Sequence, residues 1–254
     1  MKHIILLFAF TFFNVSYAQK SIKVSYEQRI LYSDSFFNQL PEQDREEFRV
    51  VLSKPNRFEL TNNGDFSLFK SLDLKEEVIA SKEVNTATSI NKGTSIKPFK
   101  VWVLKDFTKQ SNVSCTEVED KEYYVEKPFS VEELKYDKKV KVIDGYTCMS
   151  AFSVSSTNDT IQYWYTQEIP VIDGPFIMNT IPGLILSIES KKKLVYVTKI
   201  EFFDKKLEIE TINKKVSFVV EADLVKLKNE ALKSKSYTEE NGGKHSTHSI
   251  QIKN

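Results

Sequence analysis

Apolar and polar residues alternate along most of this chain, and the dominant period is two. Ile22, Val24 and Tyr26 share one face of residues 19–32, which predicts a half-buried strand. Residues 57–60 and 66–69 alternate in the same way and flank Asn62-Asn63-Gly64-Asp65. Asn-Gly between two such runs predicts a hairpin, because both turn positions need positive φ. Further strands are predicted at 101–104, 122–125, 138–143, 194–203 and 207–212. The period changes twice. Pro41 suits a first helical position, Glu42, Asp44, Glu46 and Glu47 suit the positive end of a helix dipole, and Phe48, Val51 and Leu52 repeat at helical spacing. A helix over 41–53 follows, its acidic cluster reading as a solvated first turn instead of a metal site. Leu224, Leu227 and Ala231 carry the same spacing, with acids before them and lysines after, and predict a helix over 221–235. Residues 81–98 are polar and predict a long loop, and 237–254 predict a disordered polar tail.

The chain is organised around residues 145–188. Two alternating segments there are separated by Asn158-Asp159, and three proline-marked corners lead into an apolar run. The corner Ile181-Pro182-Gly183-Leu184 is apolar on both sides, where turns are normally polar. Proline presets φ at one turn position and glycine takes positive φ at the next, so Pro182-Gly183 predicts a type II turn. Leu184, Ile185 and Leu186 are consecutive apolar residues, which a strand hides only by covering both faces.

The spaced set Gly145-Tyr146, Cys148, Ala151, then Trp164-Tyr165-Thr166, Ile169-Pro170, Gly174-Pro175 and Pro182-Gly183-Leu184-Ile185-Leu186 resembles the GLPGLI family. That family comprises secreted bacterial proteins of unknown function, named for its turn. The chain departs from the pattern at Thr180-Ile181, where the family has Gly-Leu, and at Asn158-Asp159-Thr160, where it has a basic residue before the tryptophan strand. The resemblance implies export and no activity. It assigns these motif residues no chemistry, and a structural role is expected for them.

The fold class expected is mainly β: one antiparallel curved sheet or open barrel, whose exposed face the two helices cover. Residues 1–18 read as a secretory signal peptide, with Lys2, an apolar run from Ile4 to Phe13 and a small-residue cleavage site at Ser16 and Ala18. The run is nearer ten residues than the roughly 20 needed to span a bilayer. Residues 19–236 are then expected to form one domain, since no Gly/Ser/Pro-rich linker divides them. Export points to the periplasm or the extracellular space.

Charge and chemistry narrow the function by exclusion. The chain holds 36 basic and 35 acidic residues, and the signal segment removes one lysine. Equal charges give no electrostatic reason for a nucleic-acid partner. His3 lies in the signal segment, and His245 and His248 lie in the tail, so the expected domain can build no histidine triad or His-rich zinc site. No cofactor motif is present. Asp144-Gly145 and Asp173-Gly174 are the carboxylates best placed for catalysis, yet Asp-Gly is also an ordinary turn pair. Cys115 and Cys148, 33 residues apart, are disulfide candidates in an oxidising compartment; the alternative is two unpaired thiols. The reading favoured is a non-enzymatic exported binding or interaction protein of the cell envelope, its partner a protein or an apolar ligand. One alternative is a carrier holding an apolar ligand in the curved sheet. The other is a carboxylate-dependent hydrolase. No membrane span is expected, and oligomeric state is not specified by the sequence.

Overall fold

The structure is a computed structural model. It describes residues 21–40, 42–72, 77–80, 93–96, 100–130, 133–212 and 216–240, with backbone alone for 77–80, 93–96 and 233–240. Pro41, the expected signal peptide 1–18, most of the predicted 81–98 loop and the expected tail from 241 onward lie outside these residues.

In chain order the elements are β1 (Ser21–Ile30), α1 (Asp34–Asn38), a 3-10 turn (Glu42–Asp44), α2 (Arg45–Ser53), β2 (Asn56–Asn62), β3 (Phe66–Ser71), β4 (Glu77–Ala80) and β5 (Gly93–Ile96). There follow β6 (Trp102–Asp106), β7 (Ser111–Val118), β8 (Lys121–Pro128), β9 (Lys135–Ile143), β10 (Tyr146–Val154) and β11 (Thr160–Thr166). β12 (Leu184–Glu189), β13 (Lys193–Phe203), β14 (Ser217–Phe218) and α3 (Glu221–Glu240) complete the chain. Twelve strands form one curved, unclosed sheet in the order β14-β8-β7-β6-β3-β2-β1-β13-β12-β11-β10-β9, while β4 and β5 pair separately. Among the described residues all strand–strand pairings are antiparallel except β14 beside β8.

Local chemistry fixes the tight turns. Asn62 Oδ1 accepts the Gly64 N–H and Asn63 Oδ1 accepts those of Asp65 and Phe66, which closes the β2–β3 hairpin around Gly64 at φ +88°. Asp144 (φ +50°) and Gly145 (φ +83°) close β9–β10 with two left-handed residues, the geometry that suits the twist of antiparallel strands. Glu119 and Asp120 do the same between β7 and β8.

The core lies on one face of the sheet and draws from both of its halves. Ile22, Val24 and Tyr26 of β1, Phe58 and Leu60 of β2 and Phe69 of β3 join Tyr163, Leu184, Ile185, Leu186 and Val195 from the other half. Between the halves lies the connection 167–183, which leaves β11 and returns to β12. Its Ile169, Met178 and Ile181 are buried, and Phe176 packs edge-on against the rings of Phe58 and Phe69.

Several expectations change here. The helices do not cover the sheet. α1 and α2 bury Phe37 and Phe48 in a cluster of their own, and α3 reaches only Val118, Val125 and Tyr123 at the β7–β8 end. Too few of their residues are apolar on one face to do more, and the connection 167–183 fills the middle instead. Residues 207–212 form no strand among the described residues. They run extended beside β1–β3, tied by Leu207 N–H to Ser21 Oγ and by Asn63 Nδ2 to the Leu207 carbonyl. α3 continues through Glu240, past 235 and into the expected tail. Within the predicted 81–98 loop, residues 93–96 pair as a strand.

Cys115 and Cys148 are both free and buried. The disulfide reading is therefore wrong for this fold. Cys115 sits on β7 and Cys148 on β10, with β6, β3, β2, β1, β13, β12 and β11 between them in the sheet. Spacing along the chain carried no information about that separation.

Candidate functional site

The motif residues converge on the connection 167–183 and the strands at its two ends. Pro170 and Pro182 each sit at the centre of a three-residue turn, with Val171 N–H donating to the Ile169 carbonyl and Gly183 N–H to that of Ile181, both at 2.8 Å. The fixed φ of proline suits such γ-turns. Pro182-Gly183 is thus a γ-turn and not the type II turn predicted. Gly183 has φ +153°, and a Cβ there would lie 2.2 Å from the Thr166 carbonyl oxygen. Gly174 is required for space: a Cβ would meet Ile185 Cδ1 at 2.5 Å and its Cβ at 2.9 Å. Immediately before Gly174, Asp173 pairs with the start of β12, donating its N–H to the Gly183 carbonyl and accepting from Ile185 N–H at 3.0 Å.

The Asp173 side chain is fully buried, and so is that of Lys105 on β6. Lys105 Nζ donates to Asp173 Oδ1 at 2.6 Å, to the Gly174 carbonyl at 2.6 Å and to the Met178 carbonyl at 2.7 Å. Asp173 Oδ2 accepts from Asn62 Nδ2 at 2.7 Å, and Oδ1 also accepts the Gly174 N–H at 2.8 Å. Burial pushes the Lys105 pKa below its ordinary value, and the Asp173 charge opposes that shift. Nearby, the Tyr26 hydroxyl donates to the Ile185 carbonyl at 2.7 Å. Its pKa is raised well above the ordinary value, first by burial and then by the charge of Asp173. The cluster ties β2, β6 and the connection 167–183 into one unit.

Register explains how these residues meet. Asn62 pairs with Ser67 across β2–β3, and Ser67 with Lys105 across β3–β6, so the three lie in one row on the core face. Ser67 is small, fully buried, and its hydroxyl has no hydrogen-bond partner among the described residues. The sequence contained a sign of this site. Val101, Val103 and Lys105 share a parity, which places a lysine on the inward face of an apolar strand.

The two candidate carboxylates are not brought together. Asp144 is exposed on its turn, whereas Asp173 is locked by Lys105 and Asn62. Asp173 is therefore more than an ordinary turn residue. Trp164 is buried on the β11 face, with Lys141 Nζ 4.2 Å from its ring centroid. Tyr146 is half-buried, and Cys148 and Ala151 are fully buried in the core. Burial raises the Cys148 thiol to about 11. No group of metal-ligating side chains occurs among the described residues, and no helix there is long and apolar enough to cross a membrane.

The outer surface offers other features. β9 ends the sheet, and Tyr136, Val140 and Val142 on it are 55%, 61% and 70% exposed. Lys135, Lys138 and Lys139 are exposed on the same strand, beside Asp137. Two open clefts of about 320 and 220 Å³ flank β8, the first lined by Glu122, Tyr124 and Ser217 and the second by Val118, Leu227 and Glu230. Neither reaches the motif residues.

No family model and no curated protein matches the chain. Solved structures do. PNGF-II in a P21 crystal form is similar over 84% of this chain with TM-score 0.53 and 14% identity, and in a C2 form over 83% with TM-score 0.52 and 13% identity. The aligned part covers only 34% and 33% of the PNGF-II chains, so this chain spans about a third of their length. At that identity the likeness is one of fold alone.

Proposed function

We propose that this chain is an exported, non-enzymatic interaction protein of the cell envelope and a member of the GLPGLI family. The observation that carries the reading is the division between its two surfaces. The concave face, where a carrier would hold an apolar ligand, is filled by Ile169, Phe176, Met178 and Ile181 of the chain itself. The sheet nevertheless ends in β9 with Tyr136, Val140 and Val142 exposed. A terminal strand with apolar side chains on show can accept an added strand from a partner, main chain to main chain. The lysines of β9 disfavour pairing with a second copy of this strand and favour an extended partner segment carrying acids. The carrier reading and the hydrolase reading draw no comparable support, because the concavity is occupied and the carboxylates stand apart.

Crosslinking in intact cells, with a photoreactive residue at position 138 of β9, tests the proposal. The expected result is a discrete adduct with an envelope protein, reduced at least several-fold by Val140→Lys. An adduct pattern unchanged by Val140→Lys, or none above that of an exposed control position on α3, overturns it.

A further inference from the structure

We propose that Lys105, Asn62 and Asp173 form a self-processing site in which Lys105 Nζ becomes covalently joined to the Asn62 side chain, with Asp173 as the general acid–base. The proposal stands on the buried geometry alone and is independent of the function assigned above.

One carboxylate bridges nucleophile and leaving group. Asp173 Oδ1 accepts from Lys105 Nζ at 2.6 Å, and Oδ2 accepts from Asn62 Nδ2 at 2.7 Å. Asp173 is therefore placed to take a proton from the lysine at one oxygen and return it to the departing nitrogen at the other. Two further acceptors hold the amine. The carbonyls of Gly174 and Met178 lie 2.6 and 2.7 Å from Nζ, and a neutral amine has two N–H groups to give them. Its lone pair then takes the third direction, toward Asp173, whose other oxygen holds Asn62 Nδ2. Burial lowers the Lys105 pKa and so works toward the neutral amine that the reaction needs. The row Asn62–Ser67–Lys105 puts the two reacting side chains on one face with only a small serine between them.

The step balances without a co-reactant. Neutral Lys105 Nζ adds to Asn62 Cγ, the Cγ–Nδ2 bond breaks as Asp173 gives its proton to Nδ2, Asp173 then takes the second proton from Nζ, and the released ammonia carries that proton away as ammonium. A secondary amide between β2 and β6 remains, and Asp173 ends as it began. Burial excludes the water that would otherwise compete for the same carbon.

Peptide mapping of the full chain, folded and then denatured, reads the outcome. The expected product is tryptic peptide 58–70 joined to peptide 101–109, uncut at Lys105 and lighter by one ammonia than the two together. Locating the loss in this pair separates it from cyclisation of Gln19 should that residue become N-terminal. Asp173→Asn should yield peptide 58–70 unjoined, with the second cut after Lys105 into 101–105 and 106–109. Asn62→Asp should give a linked product of the same mass as the wild type, because a carboxyl loses water where a carboxamide loses ammonia. Unjoined wild-type peptides, with cleavage after Lys105, overturn the proposal. So does a link that has lost water and runs from Lys105 to Asp173, which would assign Asp173 a different role.

Discussion

Gly174 and Gly183 bracket the buried connection and are glycine for different physical reasons. At Gly174 the obstacle is the Ile185 side chain, whose Cδ1 can move but whose Cβ, 2.9 Å from the added atom, cannot. At Gly183 the obstacle is the backbone carbonyl of Thr166, 2.2 Å away, in a strand that is itself hydrogen-bonded to β12. Overpacking a core by one methyl costs roughly 1–3 kcal/mol. Gly174→Ala should fall inside that range and Gly183→Ala at or above its top, measured as shifts in denaturant midpoint with unchanged m-values. Equal costs would show that the Thr166 carbonyl yields as easily as a side chain. The two thiols add a second test at this scale. Cys115 and Cys148 are buried and unbridged, so an aromatic disulfide reagent should titrate both in denatured, unreduced protein. In the folded chain Cys148 should react at least tenfold more slowly than a free cysteine, because burial keeps its thiol protonated up to about 11.

β12 shows how an element reveals its surroundings through its composition. Leu184, Ile185 and Leu186 are 0%, 1% and 0% exposed, so both faces of the strand are covered. Ile185→Ala should therefore destabilise by roughly 2–5 kcal/mol, as truncations in packed cores do. On β9 the equally apolar Val140 is 61% exposed, and Val140→Ala should stay within about 0.5 kcal/mol of the wild type. Comparable losses at both sites would mean that β9 is covered in solution. This contrast was half legible in the sequence. The consecutive apolar residues of β12 required two covers, and alternation located β1, the β2–β3 hairpin, β10, β11 and β13. β7 was missed because its alternation is short: Val113 and Cys115 are buried on one parity, but exposed Glu117 takes the next position and breaks the run. The connection 167–183 could not be recognised as the core's filling either. Its apolar residues follow γ-turns and a left-handed Phe176, which have no repeat to detect.

Across the whole molecule, the packing of one curved sheet around its own connection buries hydroxyls as well as methyl groups, and this governs behaviour in alkali. Tyr26 is held neutral by burial and by the Asp173 charge, and burial also raises Tyr32 to about 12. Tyr165 and Tyr196 are raised too, the first chiefly by burial and the second chiefly by its hydrogen bond to Glu27. In the unfolded chain tyrosine titrates near pH 10, so above about that pH the unfolded state binds fewer protons than the folded one. The stabilisation these groups give is complete below about pH 10 and is lost as pH rises through their folded values. Lys193, whose pKa burial lowers, works in the opposite sense, but its contribution stops growing once lysine titrates in the unfolded chain at about 10.4. Above that the decline is unopposed. Denaturant midpoints between about pH 8 and 12 should hold steady and then fall steeply. Tyr26→Phe leaves the Ile185 carbonyl without its donor, costing about 1–3 kcal/mol at every pH, but removes one ionising group from the unfolded state. Its curve should start lower and fall less steeply above pH 10. Parallel curves would mean that Tyr26 reaches solvent before the sheet opens, and that the core around Asp173 is looser than its hydrogen bonds imply.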